Sequence, residues 1–189
     1  MLISKYDTSN VKENINSFED KYNFSFPEQY KKFLLKYNGG ETPNTKFKMN
    51  KISSDIKGFY GLGNAKMNYD FFIRTNTLRE YMDKDVLPIA SDSFGNDIVI
   101  GLSEDNHRIY FSDHELGNKL TLLANDFITF VEKCKSEKIN EASTRSIDER
   151  AAILIAKGRG HVITDSLKEI WQAEIDKYGS MNQEELNLD

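Results

Sequence analysis

Acidic side chains at the predicted ends of strands and helices are the residues of this 189-residue chain whose types and spacing could do chemistry. They are Glu41, Asp92, Asp97, Asp113 and Glu115. If they share one rim, their carboxylates form an acidic face that binds basic side chains of a partner protein. The alternative is that each carboxylate satisfies backbone groups of its own turn, as Asp and Asn side chains often do. Both interpretations stay open from the sequence.

The sequence gives little support for a metal site or a catalytic site. The stretch 92–97 lacks the alternating oxygen-ligand spacing of a calcium loop. His114 stands between Asp113 and Glu115, but adjacent strand residues point to opposite faces, so the three side chains would not converge. The histidines and the single cysteine are too scattered for a zinc site: His107, His114, His161 and Cys134. No nucleotide loop or nucleophile elbow is present, and we predict no catalytic residue, metal or cofactor.

Composition and charge narrow the class of partner. Hydrophobic residues make up 39% of the chain and aromatic residues 12%, which is typical of a globular protein. The net charge of −5 disfavours a general nucleic-acid binder, because such a protein needs a basic surface. No signal peptide or membrane span is visible, and one cysteine cannot form an internal disulfide. We therefore predict a cytoplasmic protein that binds neither nucleic acid nor membrane.

The elements that must position the acidic residues centre on a predicted meander over residues 87–115. Residues 87–90, 98–100 and 108–111 are apolar or β-branched runs, which are typical of strands. Polar turns at residues 92–97 and 103–106 separate these runs. Antiparallel pairing would leave the acidic residues at the ends of the strands. Further strands are predicted at residues 45–49, 56–60 and 119–124.

Two helices are predicted before the sheet. Residues 10–22 and 25–37 have apolar side chains at helical spacing. Each begins with a capping-box pattern, which pairs Asn10 with Glu13 and Ser25 with Glu28. The second helix ends at Asn38-Gly39-Gly40, and we expect one of the glycines to have a positive φ. Later helices are predicted at residues 76–82 and from residue 125, with Cys134 as a small core residue of the latter.

A change of composition at residues 135–138 predicts a boundary. We expect a domain over residues 1–137 and a helical extension over residues 138–189 that ends in a frayed acidic tail. The extension contains two helices, one capped by Ser146 and Glu149 and one that opens at Thr164. Trp171 lies on the apolar side of the second helix. It is either a core residue or, if exposed, an anchor for a partner.

Two blocks of sequence resemble the SUKH superfamily. The first is FPEQYKKFLLKYNGG at residues 26–40, and the second is LPIASDSFGNDIVIGL at residues 87–102, followed by IYFSDHE at residues 109–115. Two blocks in this order are more specific than either alone, and the resemblance covers roughly residues 10–134. It implies an α+β fold, with a mostly antiparallel, curved sheet packed against the N-terminal helices and a C-terminal helical extension.

The resemblance also implies a function. The superfamily contains bacterial immunity proteins, which bind a cognate secreted toxin that is often a nuclease, and a fungal regulator of cell-wall synthesis. An immunity protein that neutralises its toxin by occlusion agrees with an acidic chain that lacks catalytic motifs. The alternatives are a regulatory interaction module without a toxin partner and an enzyme with an unrecognised site. The expected partner-binding residues are Glu41, Asp92, Asp97, Asp113, Glu115 and Trp171.

Overall fold

The computed structural model describes residues 1–73, 75–103 and 106–188. The chain forms two compact units. The first unit comprises Met1–Glu137 and Gln183–Asp189, and the second comprises Lys138–Asn182. The predicted turn at residues 103–106 lies partly outside the described residues, because Glu104 and Asp105 are not among them.

An antiparallel sheet is the central element of the first unit. Its strands are β1 (Leu2–Lys5), β2 (Gly40–Met49), β3 (Ile52–Phe59), β4 (Val86–Ser91), β5 (Asp97–Gly101), β6 (Ile109–Asp113), β7 (Lys119–Ala124), β8 (Lys135–Ser136) and β9 (Glu184–Glu185). The order across the sheet is β7-β6-β5-β4-β3-β2-β1-β9, and β8 pairs with β2 off this path. The predicted meander is confirmed as β4, β5 and β6, which pair in sequence order.

Helices of the first unit cover the sheet and complete the predicted α+β fold. They are α1 (Val11–Tyr22), α2 (Glu28–Tyr37), α3 (Thr75–Met82) and α4 (Phe127–Lys133). The second unit contains α5 (Ile147–Ala156) and α6 (Asp165–Tyr178). Short 3₁₀ helices at Met67–Tyr69 and His114–Leu116 follow β3 and β6, respectively. No described helix is long and apolar enough to cross a membrane.

The apolar stripe of α2 packs on one face of the sheet, as the sequence predicted. Phe33 is fully buried, and its ring centroid lies 5.2 Å from that of Phe59 in β3 and 5.2 Å from that of Phe127 in α4. Tyr30 continues the stripe, and its hydroxyl donates a hydrogen bond to the carbonyl oxygen of Tyr60 at 3.1 Å. Burial raises the pKa of Tyr30 well above its usual value. Aromatic packing therefore joins α2, α4 and the sheet.

The first two helices are not capped as predicted. Asn10 has a left-handed backbone with φ 60° and makes no side-chain cap bond, because a capping side chain needs an extended backbone to reach the first turn. Pro27, rather than Ser25, occupies the N-cap of α2. The carboxylate of Glu19 in α1 instead accepts a hydrogen bond from the backbone N–H of Phe26 at 2.8 Å. A tertiary contact has thus replaced the local pattern.

Asn38, with φ 51°, is the left-handed C-cap of α2, and two glycines follow it. Gly39 and Gly40 have φ values of 79° and 148°, which confirms the predicted positive φ. A Cβ added at Gly39 would lie 2.6 Å from the carbonyl oxygen of Tyr60. Glycine is therefore required here both by the backbone conformation and by the close approach of the segment after β3.

The C-terminal segment differs from the frayed tail that the sequence predicted. Glu184–Glu185 pairs with β1, and the N–H of Leu186 donates to the carbonyl oxygen of Met1 at 2.9 Å. The N–H of Asn187 donates to the hydroxyl of Tyr37 in α2 at 2.9 Å. Local composition could not predict this order, because the partner strand β1 was itself absent from the sequence prediction. Strand pairing here satisfies the edge of β1.

The second unit is built on α5 and α6. The predicted capping box of α5 is confirmed, with Ser146 and Glu149 bonded to each other's backbone N–H groups. Thr164 is the N-cap of α6, and its hydroxyl accepts a backbone hydrogen bond at 3.2 Å. Arg150 of α5 forms an ion pair with Glu174 of α6, with 2.7 Å between Nη1 and Oε2.

Candidate partner-binding site

One row of residues crosses the sheet from β2 to β6, and each is the in-register partner of the next. The row is Glu41, Gly58, Ser91, Asp97 and Ser112. In-register neighbours on adjacent strands project to the same face of a sheet. Sheet register therefore places Glu41 and Asp97 on one face. The neighbouring row contains Phe59, which points to the opposite face and into the core with α2.

A cavity of about 650 Å³ lies along this row. Three of the predicted partner-binding residues line it: Glu41, Asp92 and Asp97. Tyrosine rings and the side chains of Lys57 and Lys66 also line the cavity. Gly58 makes room for one of the rings, because a Cβ at this position would lie 2.9 Å from Cε1 of Tyr69. Three of the five predicted acidic residues of the first unit thus line one cavity.

Glu41 stands at the β2 side of the cavity and forms an ion pair with Lys66. The hydroxyl of Tyr6 nearby is buried and has no hydrogen-bond partner among the described residues. Burial, and then the negative charge of Glu41, raise the pKa of Tyr6 above its usual range. Tyr6 therefore stays protonated, and its hydroxyl remains neutral.

Asp97 is buried at the β5 side of the cavity and binds two tyrosine hydroxyls. Tyr60 donates to Oδ1 at 2.7 Å, and Tyr81 of α3 donates to Oδ2 at 3.0 Å. The second of these bonds attaches α3 to the sheet. Asp97 thus holds α3 in place while its carboxylate lines the cavity.

Asp92 is the residue that organises the turn between β4 and β5. It is only 4% exposed, and its carboxylate accepts hydrogen bonds from the N–H groups of Phe94 and Asn96 and from the hydroxyl of Ser54. The turn-satisfying interpretation therefore describes Asp92. One result of this turn is that Phe94 projects outward with 71% of its surface exposed.

Asp113 and Glu115 lie at the end of β6 and do not line the cavity. Oδ1 of Asp113 accepts hydrogen bonds from the N–H groups of Glu115 and Leu116 at 3.0 and 3.3 Å, so this carboxylate caps the short helix that follows. The side chain of Glu115 is exposed. Nδ1 of His114 lies 2.8 Å from Oδ1 of Asn96, which brings this turn beside the β4–β5 turn.

Exposed apolar side chains next to these carboxylates are the residues that sequence reasoning missed. They are Met67, Phe94 and Leu116, which are between 62% and 71% exposed. A signal was available for Phe94, because a large aromatic residue inside a polar turn has no strand or helix face on which to be buried. Trp171, the sixth predicted residue, belongs to the second unit and is half-buried there.

Neither a metal site nor a reactive thiol emerges from the described residues. No cluster of three or more His, Cys, Asp or Glu side chains in them could hold a metal ion. Cys134 is buried, and its Sγ donates to the carbonyl oxygen of Phe130 at 3.2 Å. Burial raises the pKa of the thiol to about 12. Cys134 is therefore a small core residue, as the sequence predicted.

Comparison with known proteins identifies the fold. The sequence model of the SMI1 / KNR4 family (SUKH-1) matches residues 11–133. The chain belongs to this family. It is also 30% identical over 158 residues to the SPbeta prophage-derived uncharacterized protein YokK of Bacillus subtilis (strain 168). That alignment covers 71% of this chain and 80% of the relative. The SUKH-1 match contains α1 to α4 and ends before the second unit.

Proposed function

We propose that this SUKH-1 protein is a non-catalytic immunity protein that binds a cognate bacterial toxin, often a nuclease in this superfamily, and neutralises it by occlusion. The observation that most supports the proposal is the meeting of carboxylates and exposed apolar side chains at one end of the sheet. Membership in a superfamily that contains immunity proteins also supports it. The net charge of −5 favours a basic protein as the partner, rather than nucleic acid or a membrane. The proposed place of this encounter is the cytoplasm.

The two kinds of side chain have different roles in such a complex. Exposed carboxylates such as Glu115 attract a basic toxin and raise the association rate. Apolar side chains such as Phe94 and Leu116 lose contact with water in the complex and lower the dissociation rate. Buried Asp92 and Asp97 act indirectly, since they hold the turn and α3 that shape the surface.

The test is co-expression with a candidate toxin, sought among the genes that neighbour the gene for this chain, with survival of the cells as the readout. Phe94→Ala should weaken protection and raise the dissociation rate about tenfold or more, because a central aromatic anchor contributes most to an interface. Leu35→Ala is the matched control, since Leu35 is an exposed apolar residue of α2 away from the cavity. Equal protection by Phe94→Ala and by the unmodified chain would remove this surface from the interface.

The charges are tested by the double variant Asp113→Asn with Glu115→Gln. Asn keeps the Oδ1 acceptor that caps the short helix, so the fold should be maintained. We expect slower association at low salt and little difference at high salt, because exposed charges are screened over about 8 Å at physiological ionic strength. An unchanged, salt-independent association rate would contradict electrostatic attraction. Full toxicity with the unmodified chain present would instead favour a regulatory module without a toxin partner.

A further inference from the structure

The second unit contains a cavity whose lining carries more positive than negative side chains. Its volume is about 380 Å³, and it is lined by residues of α5, of α6 and of the segment before α5. Arg145, Arg150 and Lys157 contribute positive charge to the lining, and Glu174 contributes negative charge. In a chain with a net charge of −5, three cations around one small cavity create a local field that favours an anion.

Arg150 is the central residue of this lining and is only 8% exposed. Its Nε donates to the carbonyl oxygen of Arg145 at 3.0 Å, and its Nη1 donates to Oε2 of Glu174 at 2.7 Å. Nη2 is buried, and no acceptor for it is present among the described residues. A guanidinium has five N–H donors, and a buried charged donor without an acceptor is unfavourable. An oxyanion would supply the acceptor that Nη2 lacks.

Trp171 gives the cavity an aromatic wall. Its ring centroid lies 5.8 Å from Cζ of Arg150, within the range of a cation–π contact. Ile153 and Leu154 of α5 add apolar surface to the same lining. The cavity therefore combines an anion-binding edge with an apolar, aromatic surface, which is the usual composition of a small-molecule site.

We propose that this cavity binds a small organic oxyanion, namely a carboxylate or phosphate group carried on an aromatic body. The oxyanion accepts hydrogen bonds from Nη2 of Arg150, and the exposed side chains of Arg145 and Lys157 add electrostatic attraction. The aromatic body packs against Trp171. Since Nη2 is buried, binding through this atom requires a rearrangement of the lining. The site lies outside the SUKH-1 match.

The test uses the fluorescence of Trp171, which is the sole tryptophan of the chain and therefore reports on this cavity alone. The full chain is titrated with phenyl phosphate, with benzoate and with benzyl alcohol as a neutral compound of similar shape. We expect a saturable change with both anions and at least about tenfold weaker binding of benzyl alcohol, because charge-assisted hydrogen bonds are the strong ones. No saturable change with either anion, or equal binding of benzyl alcohol, would overturn the proposal.

Variants assign the effect to the named side chains. Arg150→Met should weaken binding of phenyl phosphate at least about tenfold. Lys157→Met should weaken it several-fold, and it decides the question if Arg150→Met disturbs the helices, because Lys157 is exposed. The matched control is Lys168→Met, which removes a positive charge of α6 that is not part of the lining. Undiminished binding of phenyl phosphate by both Arg150→Met and Lys157→Met would overturn the proposal. If Arg150→Met does not fold, undiminished binding by Lys157→Met alone would overturn it. An equal loss of binding in Lys168→Met would do the same.

Discussion

Asp92 and Asn96 are joined by three hydrogen bonds across the β4–β5 turn. The backbone N–H of Asn96 donates to Oδ1 of Asp92, and the side-chain amide of Asn96 donates to Oδ2, both at 2.8 Å. The backbone N–H of Asp92 donates in return to the carbonyl oxygen of Asn96 at 3.0 Å. This closed turn fixes the direction in which Phe94 projects. The charge of Asp92 therefore serves the shape of the surface.

Replacement of Asp92 should destabilise the fold, whereas replacement of Glu115 should not. Asp92→Ala leaves several donors of the turn without an acceptor, and we expect a loss of about 1–3 kcal/mol in the free energy of unfolding. Glu115→Gln is the matched control, since this exposed side chain should change stability by less than about 0.5 kcal/mol. Urea denaturation of both variants measures the difference. Equal stability of the two variants would contradict the role assigned to Asp92.

Removal of the Phe33 ring should be among the most destabilising single changes in the first unit. Phe33→Ala should lower the free energy of unfolding by roughly 3–5 kcal/mol, because a buried aromatic ring leaves a cavity that the core cannot close. Leu35→Ala on the same helix should cost less than about 1 kcal/mol, since Leu35 is 42% exposed. Denaturant unfolding checks both values. A loss below about 1 kcal/mol for Phe33→Ala would place the stripe outside the core.

Two glycines with similar φ values separate conformational strain from close approach. Gly39 and Gly117 have φ values of 79° and 66°, but a Cβ at Gly117 would meet nothing within 4 Å. Gly117→Ala should therefore cost only the left-handed strain of about 1–2 kcal/mol. Gly39→Ala should lower the free energy of unfolding by about 1–3 kcal/mol more than Gly117→Ala does, because its Cβ would clash with the carbonyl oxygen of Tyr60. Comparable stability losses in the two variants would refute the close-approach argument.

The thiol of Cys134 should be unreactive in the folded protein at neutral pH. Its pKa of about 12 leaves almost no thiolate, which is the nucleophilic form. Folding raises this pKa from its unperturbed value of 9.0. The contribution of the thiol to the stability of the folded state is therefore fully present below pH 9. That stability is lost as pH rises from 9 towards 12, because the unfolded chain ionises first. Alkylation by iodoacetamide, followed by mass spectrometry, should be slow until urea unfolds the chain; rapid labelling at neutral pH without urea would contradict this.

Local sequence patterns were sufficient for the elements whose signal lies within a few residues. The β-branched run that became β5 and the apolar stripe around Phe33 were predicted correctly, because a short continuous apolar run and helical spacing both reflect burial. The positive φ of the glycines after α2 was also predicted, although the left-handed C-cap residue itself is Asn38. The two sequence blocks that resemble the family proved to mark it.

Long-range partners decided what local patterns did not. Glu19 of α1 binds the backbone N–H of Phe26 just before α2, where Ser25 was expected to act, and β9 became ordered because β1 offers it a partner. In both cases the stabilising group belongs to another element, seven residues away in the first case and near the other end of the chain in the second. Capping and fraying predictions that consider only neighbouring residues cannot include such a group.

By itself, the sequence indicated the SUKH superfamily, the α+β class and the elements of the central meander. Only the tertiary structure decided that Glu41 and Asp97 face one cavity and that Phe94 is exposed. It also decided that the carboxylate of Asp92 accepts hydrogen bonds from its own turn. It also placed Arg150 of α5 against Trp171 of α6. The physical reason is that strand register and helix pairing bring together residues far apart in the chain, and both depend on packing of the whole unit rather than on local composition.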